Sequence, residues 1–179
     1  MKKNIFTSFY ISLSLSLCLI QVSCVSQKPI LSKEISYKIN KSKDIVLNFT
    51  LKSNAQIEPF KEAQKATYIK IVKGNNLVIK IEGLKKPFKN IADSGYREVV
   101  YLEIPNKKQS LKNLDLNKSD LNLWFARFCF CRDYIGFHKI KKGQMSLSLN
   151  NKSLAIKTTL MFNNLPQVLN FIDQKIPLK

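Results

Sequence analysis

From Ile35 onward, apolar and polar positions alternate with a period of two over most of the chain. In Asp44 to Lys52, Ile45, Leu47, Phe49 and Leu51 point one way, and Asn48, Thr50 and Lys52 the other. This is the pattern of a half-buried antiparallel strand. Ala66 to Lys73 and Leu77 to Glu82 repeat it, and Gly74-Asn75-Asn76 between them predicts a hairpin, since Gly and Asn tolerate positive φ. Arg97 to Ile104 forms a further strand, stopped by Pro105. Leu121 to Arg132, Tyr134 to Ile140, Gln144 to Leu149 and Leu154 to Phe162 follow, with turns at Lys142-Gly143 and Asn150-Asn151. Roughly eight or nine strands at a spacing of about 10 residues predict a mainly β, antiparallel sandwich or barrel-like domain.

Two segments carry a helical pattern instead. Ile57 to Ala66, with Pro59 near its start, fits a short helical turn. In Leu165 to Ile176, Asn164 can cap the first turn and Pro166 sits within it. Leu165, Val168, Leu169, Ile172 and Ile176 would then share one face. The expectation is a C-terminal α-helix over 165–176 that closes one end of the core or covers a sheet edge.

The N-terminus breaks from this pattern. Lys2 and Lys3 precede an apolar run, Ile5 to Val22, in which serines separate leucines. Its centre, Phe9 to Ile20, falls short of the roughly 20 apolar residues a membrane span requires. It fits the h-region of a secretory signal peptide, and no second run of spanning length follows. The run ends in Leu19-Ile20-Gln21-Val22-Ser23-Cys24. This resembles the lipobox of bacterial lipoproteins, in the relaxed form found in spirochaete-type members. There a small residue precedes a Cys that is acylated and becomes the mature N-terminus. Ser23 and Cys24 match; Gln21 departs from the usual aliphatic residue. Cys18 is the poorer candidate, because Leu17 precedes it. The resemblance implies a signal peptide over 1–23, lipidation at Cys24 with palmitate-type chains, and anchoring in the cell outer membrane. Residues 24–34 are then a polar tether, and 35–179 a single β-rich domain. Several acyl chains bury far more than one, whose membrane binding is marginal.

The chain has 179 residues and a formal charge of +18, with 30 Lys+Arg against 12 Asp+Glu. Of the basic residues 27 are Lys, and 16 Asn accompany them, a composition that AT-rich codons favour. A phosphate-gripping surface would use more Arg, whose planar fork binds bidentately. Together with export, this argues against a nucleic-acid partner. The lysines still cluster at strand ends and loops, as Lys85, Lys86 and Lys89; Lys107, Lys108 and Lys112; and Lys139, Lys141 and Lys142. If these ends converge, they would contact an anionic polymer, lipid or protein.

Candidate chemistry is sparse. Trp124 to His138 places Cys129, Cys131, Asp133 and the lone His138 in one stretch. Neither zinc-ligand spacing nor a C-x-x-C redox motif is matched. The alternation puts Trp124, Phe128 and Phe130 on one face, and Arg127, Cys129 and Cys131 on the other. Both faces are then apolar, which predicts a central or doubly covered strand whose thiols pack as small hydrophobes. A bridge between Cys129 and Cys131 would need a bend, because i and i+2 in a strand lie nearly 7 Å apart. No nucleophile elbow, P-loop, H-E-x-x-H or dinucleotide fingerprint occurs. The expectation is therefore a non-enzymatic binding or structural lipoprotein without a metal or cofactor. The alternative is an adhesin-like module that binds anionic polymers or lipids through its lysine clusters.

Overall fold

The computed structural model describes residues 34–61, 67–87, 94–106, 110–129, 136–162 and 167–178. They form ten strands: β1 (Ile35–Asn40), β2 (Ile45–Lys61), β3 (Thr67–Lys85), β4 (Tyr96–Pro105), β5 (Ser110–Asp115), β6 (Asn122–Cys129), β7 (Gly136–Lys139), β8 (Lys142–Leu149), β9 (Ser153–Met161) and β10 (Phe171–Pro177). A 3-10 turn, Leu116–Lys118, is the one helical element among the described residues. All pairings are antiparallel, in two sheets of order β1-β2-β3-β4-β6-β7 and β10-β9-β8-β5.

The period-two residues meet in one core. Leu47, Phe49 and Leu51 of β2, Ile79 and Ile81 of β3, Val100 and Leu102 of β4, and Leu123 and Phe125 of β6 supply the inner face of the larger sheet. Met145 and Leu147 of β8, Leu154 and Ile156 of β9, and Ile172 and Ile176 of β10 supply the other side. Both sheets thus pack on shared apolar surface, each buried large side chain contributing about 1.5–3 kcal/mol.

Four expectations are corrected. The segment predicted as a C-terminal helix is not helical where described: Phe171–Pro177 is an edge strand paired with β9, while Leu165 and Pro166 lie outside the described residues. Ile172 and Ile176 are buried in this strand. A spacing of four puts two residues on one side of either a helix or a strand, so this pair could not discriminate. The helical turn expected over Ile57 to Ala66 is strand as far as Lys61, and the rest of it lies outside the described residues.

The hairpin expected at Gly74-Asn75-Asn76 is instead a bulge inside one long strand. Ala55 pairs with both Lys73 and Asn76, and Asn54 takes φ 53 beside it. A Cβ on Gly74 would lie 2.7 Å from Gln56 Cβ, so glycine allows the strands to approach closely there. Lys142-Gly143 likewise opens β8 rather than forming a turn; the chain passes between sheets at Ile140-Lys141. The Asn150-Asn151 turn does join β8 to β9, with Asn150 Oδ1 accepting from the Lys152 and Ser153 amides at 2.9 and 2.8 Å.

Candidate functional site

Beyond the bulge, the distal halves of β2 and β3 form an arm over residues 55–61 and 67–73. Its underside covers the outer face of the larger sheet. Ala55, Ile57 and Val78 are buried together, with Ile69, Ile71, Tyr101 and Trp124 packed against them. This explains why β6 is apolar on both faces: Leu123 and Phe125 face the shared core, whereas Trp124 faces the arm.

Glu103 fixes the root of the arm. One of its oxygens accepts from the Ile57 amide and from Asn122 Nδ2, both at 2.9 Å, and the other from Asn76 Nδ2 at 2.5 Å. Trp124 Nε1 donates to Asn122 Oδ1 at 2.8 Å, which sets that amide's orientation. Burial raises the pKa of the Tyr101 phenol, keeping it neutral on this face.

From the arm an aromatic strip runs onto the sheet. Phe60 and Tyr68 pair across β2 and β3, with ring centroids 5.6 Å apart and planes 29° from parallel. Tyr68 lies 6.3 Å from Phe137, which lies 5.8 Å from Phe128 and 6.0 Å from Tyr101. A cation sits at each end. Lys70 Nζ lies 4.3 Å above the Phe60 ring, and the Arg97 guanidinium 4.2 Å above Phe128. Sequence reading missed this strip. Its trace is that the alternation of β3 continues through Tyr68, Lys70 and Val72, past the glycine that suggested a turn.

A second polar cluster lies inside. Glu98 is fully buried. One carboxylate oxygen accepts from the Tyr96 hydroxyl and from Arg127 Nη2 at 3.3 Å. The other accepts from the Val168 and Leu169 amides at 2.7 and 2.8 Å. Lys41 Nζ donates to the Val168 and Phe171 carbonyls at 2.8 and 3.0 Å. The segment leading into β10 is thereby tied to the larger sheet by both its amides and its carbonyls. Leu169 packs closely on Gly83, where a Cβ would lie 2.9 Å from Leu169 Cδ2. Burial raises the pKa of Tyr96, and its hydrogen bond to Glu98 raises it further. Burial lowers that of Lys41, against the pull of Glu98. An ionised carboxylate offers about four lone-pair positions, and Glu98 receives four donors. Its hydrogen-bonding capacity is thus filled by contacts that hold the fold together.

The lysines singled out by sequence fall in separate places. Lys85 ends β3, in register with Ile45 and Tyr96, and the Lys86 amide bonds to Asp44. Lys139 pairs with Trp124, toward the other end of the sheet. Lys141 and Lys142 lie at the passage between the sheets, and Lys112 lies in a bulge of β5 in the smaller sheet. Cys24, Lys89, Lys107 and Lys108 lie outside the described residues.

Cys129 ends β6 opposite Tyr96 and is disulfide-bonded, with its partner outside the described residues. The free packed thiol expected at this position is thus corrected. Cys131 and Asp133 also lie outside the described residues. His138 pairs in register with Phe125 and packs its ring 4.8 Å from Phe162. Among the described residues, no three His, Cys, Asp or Glu side chains gather as a metal site would require. No helix among them is long and apolar enough to cross a membrane. No protein-family model, curated protein or solved structure matches this chain.

Proposed function

We propose that the chain is an exported bacterial lipoprotein, anchored through Cys24 in the outer membrane, whose sandwich-like β domain is a non-enzymatic binding module. The observation that carries this reading is the N-terminal series itself: Lys2 and Lys3, the serine-spaced apolar run, then Ser23-Cys24. Acylation there would place the domain one short tether from the bilayer, since β1 begins at Ile35. The described domain supports a binding role over a catalytic one. The oxygens of its buried Glu98 and of Glu103 are occupied by structural donors. Its exposed chemistry is aromatic and cationic, which suits recognition.

The alternative reading, an adhesin-like module for anionic polymers, is favoured by one placement. Lys139 shares the outer face of the sheet with Phe137 and pairs with Trp124. The other lysine clusters are too scattered in register to join it in a single contact.

Cys24→Ala tests the anchor. The wild-type chain should partition into detergent and fractionate with outer membrane. The variant should be released into the aqueous phase and lose incorporated palmitate. Unchanged membrane association in the variant would refute the reading.

A further inference from the structure

We propose that the strip from Lys70 through Phe60, Tyr68, Phe137 and Phe128 to Arg97 binds an acidic polysaccharide, one bearing sulfate or uronate groups. The inference deepens the binding-module reading and rests on it. Three features of the strip point to this ligand.

The first is how the cations are held. Lys70 Nζ and the centre of the Arg97 guanidinium sit over aromatic rings, 4.3 and 4.2 Å from the ring centroids. A ring quadrupole attracts a cation without neutralising it. Lys70 is exposed, and the Arg97 side chain keeps 44% of its surface open to solvent. Each therefore presents a positive charge already fixed in direction, and an anion that binds it costs less side-chain ordering than one that captures a free lysine.

The second is the charge balance of this face. Glu82 is 3.8 Å from Arg97, but the same oxygen is 2.8 Å from Lys80 Nζ, so its charge is already met. Glu58, in register with Lys70, and Glu103, at the root of the arm, are the other described acids of this face. Lys70, Lys80, Arg97 and Lys139 oppose Glu58, Glu82 and Glu103, and Glu103 already accepts three hydrogen bonds, which leaves the strip positive among the described residues.

The third is spacing. Aromatic rings at centroid steps of 5.6, 6.3 and 5.8 Å separate the two ring-held cations. A ligand touching both must be elongated and must alternate negative groups with apolar surface. A chain of acidic sugars does so, because its ring C–H faces lie between its charged substituents. A nucleic acid carries comparable features, but an exported chain would not meet one in its ordinary setting.

The full-length chain in detergent is titrated with heparin oligosaccharide, polygalacturonate, neutral dextran, a single-stranded oligonucleotide and glycerol phosphate, a soluble anionic lipid headgroup, at about 0.15 M salt. One of the acidic glycans should bind more tightly than the oligonucleotide or glycerol phosphate, and dextran should not bind. The Lys70→Gln/Arg97→Gln pair should weaken glycan binding at least about tenfold, and Lys85→Gln/Lys86→Gln less than about twofold. Lys70→Arg/Arg97→Lys, which keeps the charges, should retain most of the affinity, so that loss of fold cannot pass for loss of a site. Equal losses in the two Gln pairs, no loss in the first, or tighter binding to oligonucleotide or glycerol phosphate would overturn the proposal. None of these readouts depends on acylation, so a failed anchor and a failed glycan site give different results.

Discussion

Glu98 shows how one residue can hold two distant parts of the chain together. Removing the charge of a buried, fully bonded carboxylate leaves its cationic partner facing a weaker acceptor, which typically costs about 3–5 kcal/mol. Glu98→Gln should therefore lower unfolding stability by about that amount in urea titrations. A loss below about 1 kcal/mol, the scale of exposed ion pairs such as Lys157–Asp173, would show that the cluster contributes little. Tyr96 adds a pH dependence. Between the ordinary tyrosine value of 10.0 and the higher value in the fold, the unfolded chain has released the phenolic proton and the folded chain retains it. Stability should fall as pH rises through that window, and this group should have no effect below it. Lys41 works in the opposite sense just below its ordinary 10.5, but Tyr96 carries the larger shift. Denaturant midpoints measured across the alkaline range should decline for the wild type and decline less for Tyr96→Phe; identical slopes would contradict the assignment.

At the level of elements, the strands of the core were legible because each buries one face. Asp44 to Lys52 anticipated the start of β2 with Leu47, Phe49 and Leu51 inward, all of them fully buried. The doubly apolar β6 anticipated cover on both sides, which the smaller sheet and the arm provide. The misread segments are those where local signals are degenerate. Gly74 marks a bulge rather than a turn, and nothing local distinguishes a strand that bends from one that reverses. Ile172 and Ile176 fit two periods at once, and only their partner β9 decides between them. The aromatic strip escaped notice because it joins the β2–β3 pair to the β6–β7 pair, which are distant in sequence and whose aromatic rings meet only where the arm lies over the sheet. The arm's dependence on Gly74 is testable. Gly74→Ala would force its Cβ against Gln56 and the Ala55 backbone, 2.7 and 2.9 Å away. It should cost about 1–3 kcal/mol. Amide exchange should accelerate over 55–61 and 67–73 while Phe49 and Ile81 stay protected. Uniform acceleration, or none, would show that the arm does not depend on the bulge.

For the whole molecule, three layers fit the display role proposed above. In the proposed reading the N-terminal series would supply an address and an anchor. The two-sheet core supplies a rigid support. The arm supplies an exposed face that carries oriented charge. The lysine excess takes on meaning only where the fold concentrates it, so Lys139 belongs to this face while Lys85, Lys86 and Lys112 do not. The anchor is decisive for this proposal, since export would select the ligand class and the tether would set the distance at which the arm is displayed. The most direct measurement is mass spectrometry of the N-terminal peptide of the native protein, recovered from the membrane fraction. The expected result is a chain beginning at Cys24 whose mass includes thioether-linked diacylglycerol. A chain that begins at another residue, or one with an unmodified Cys24, would contradict it.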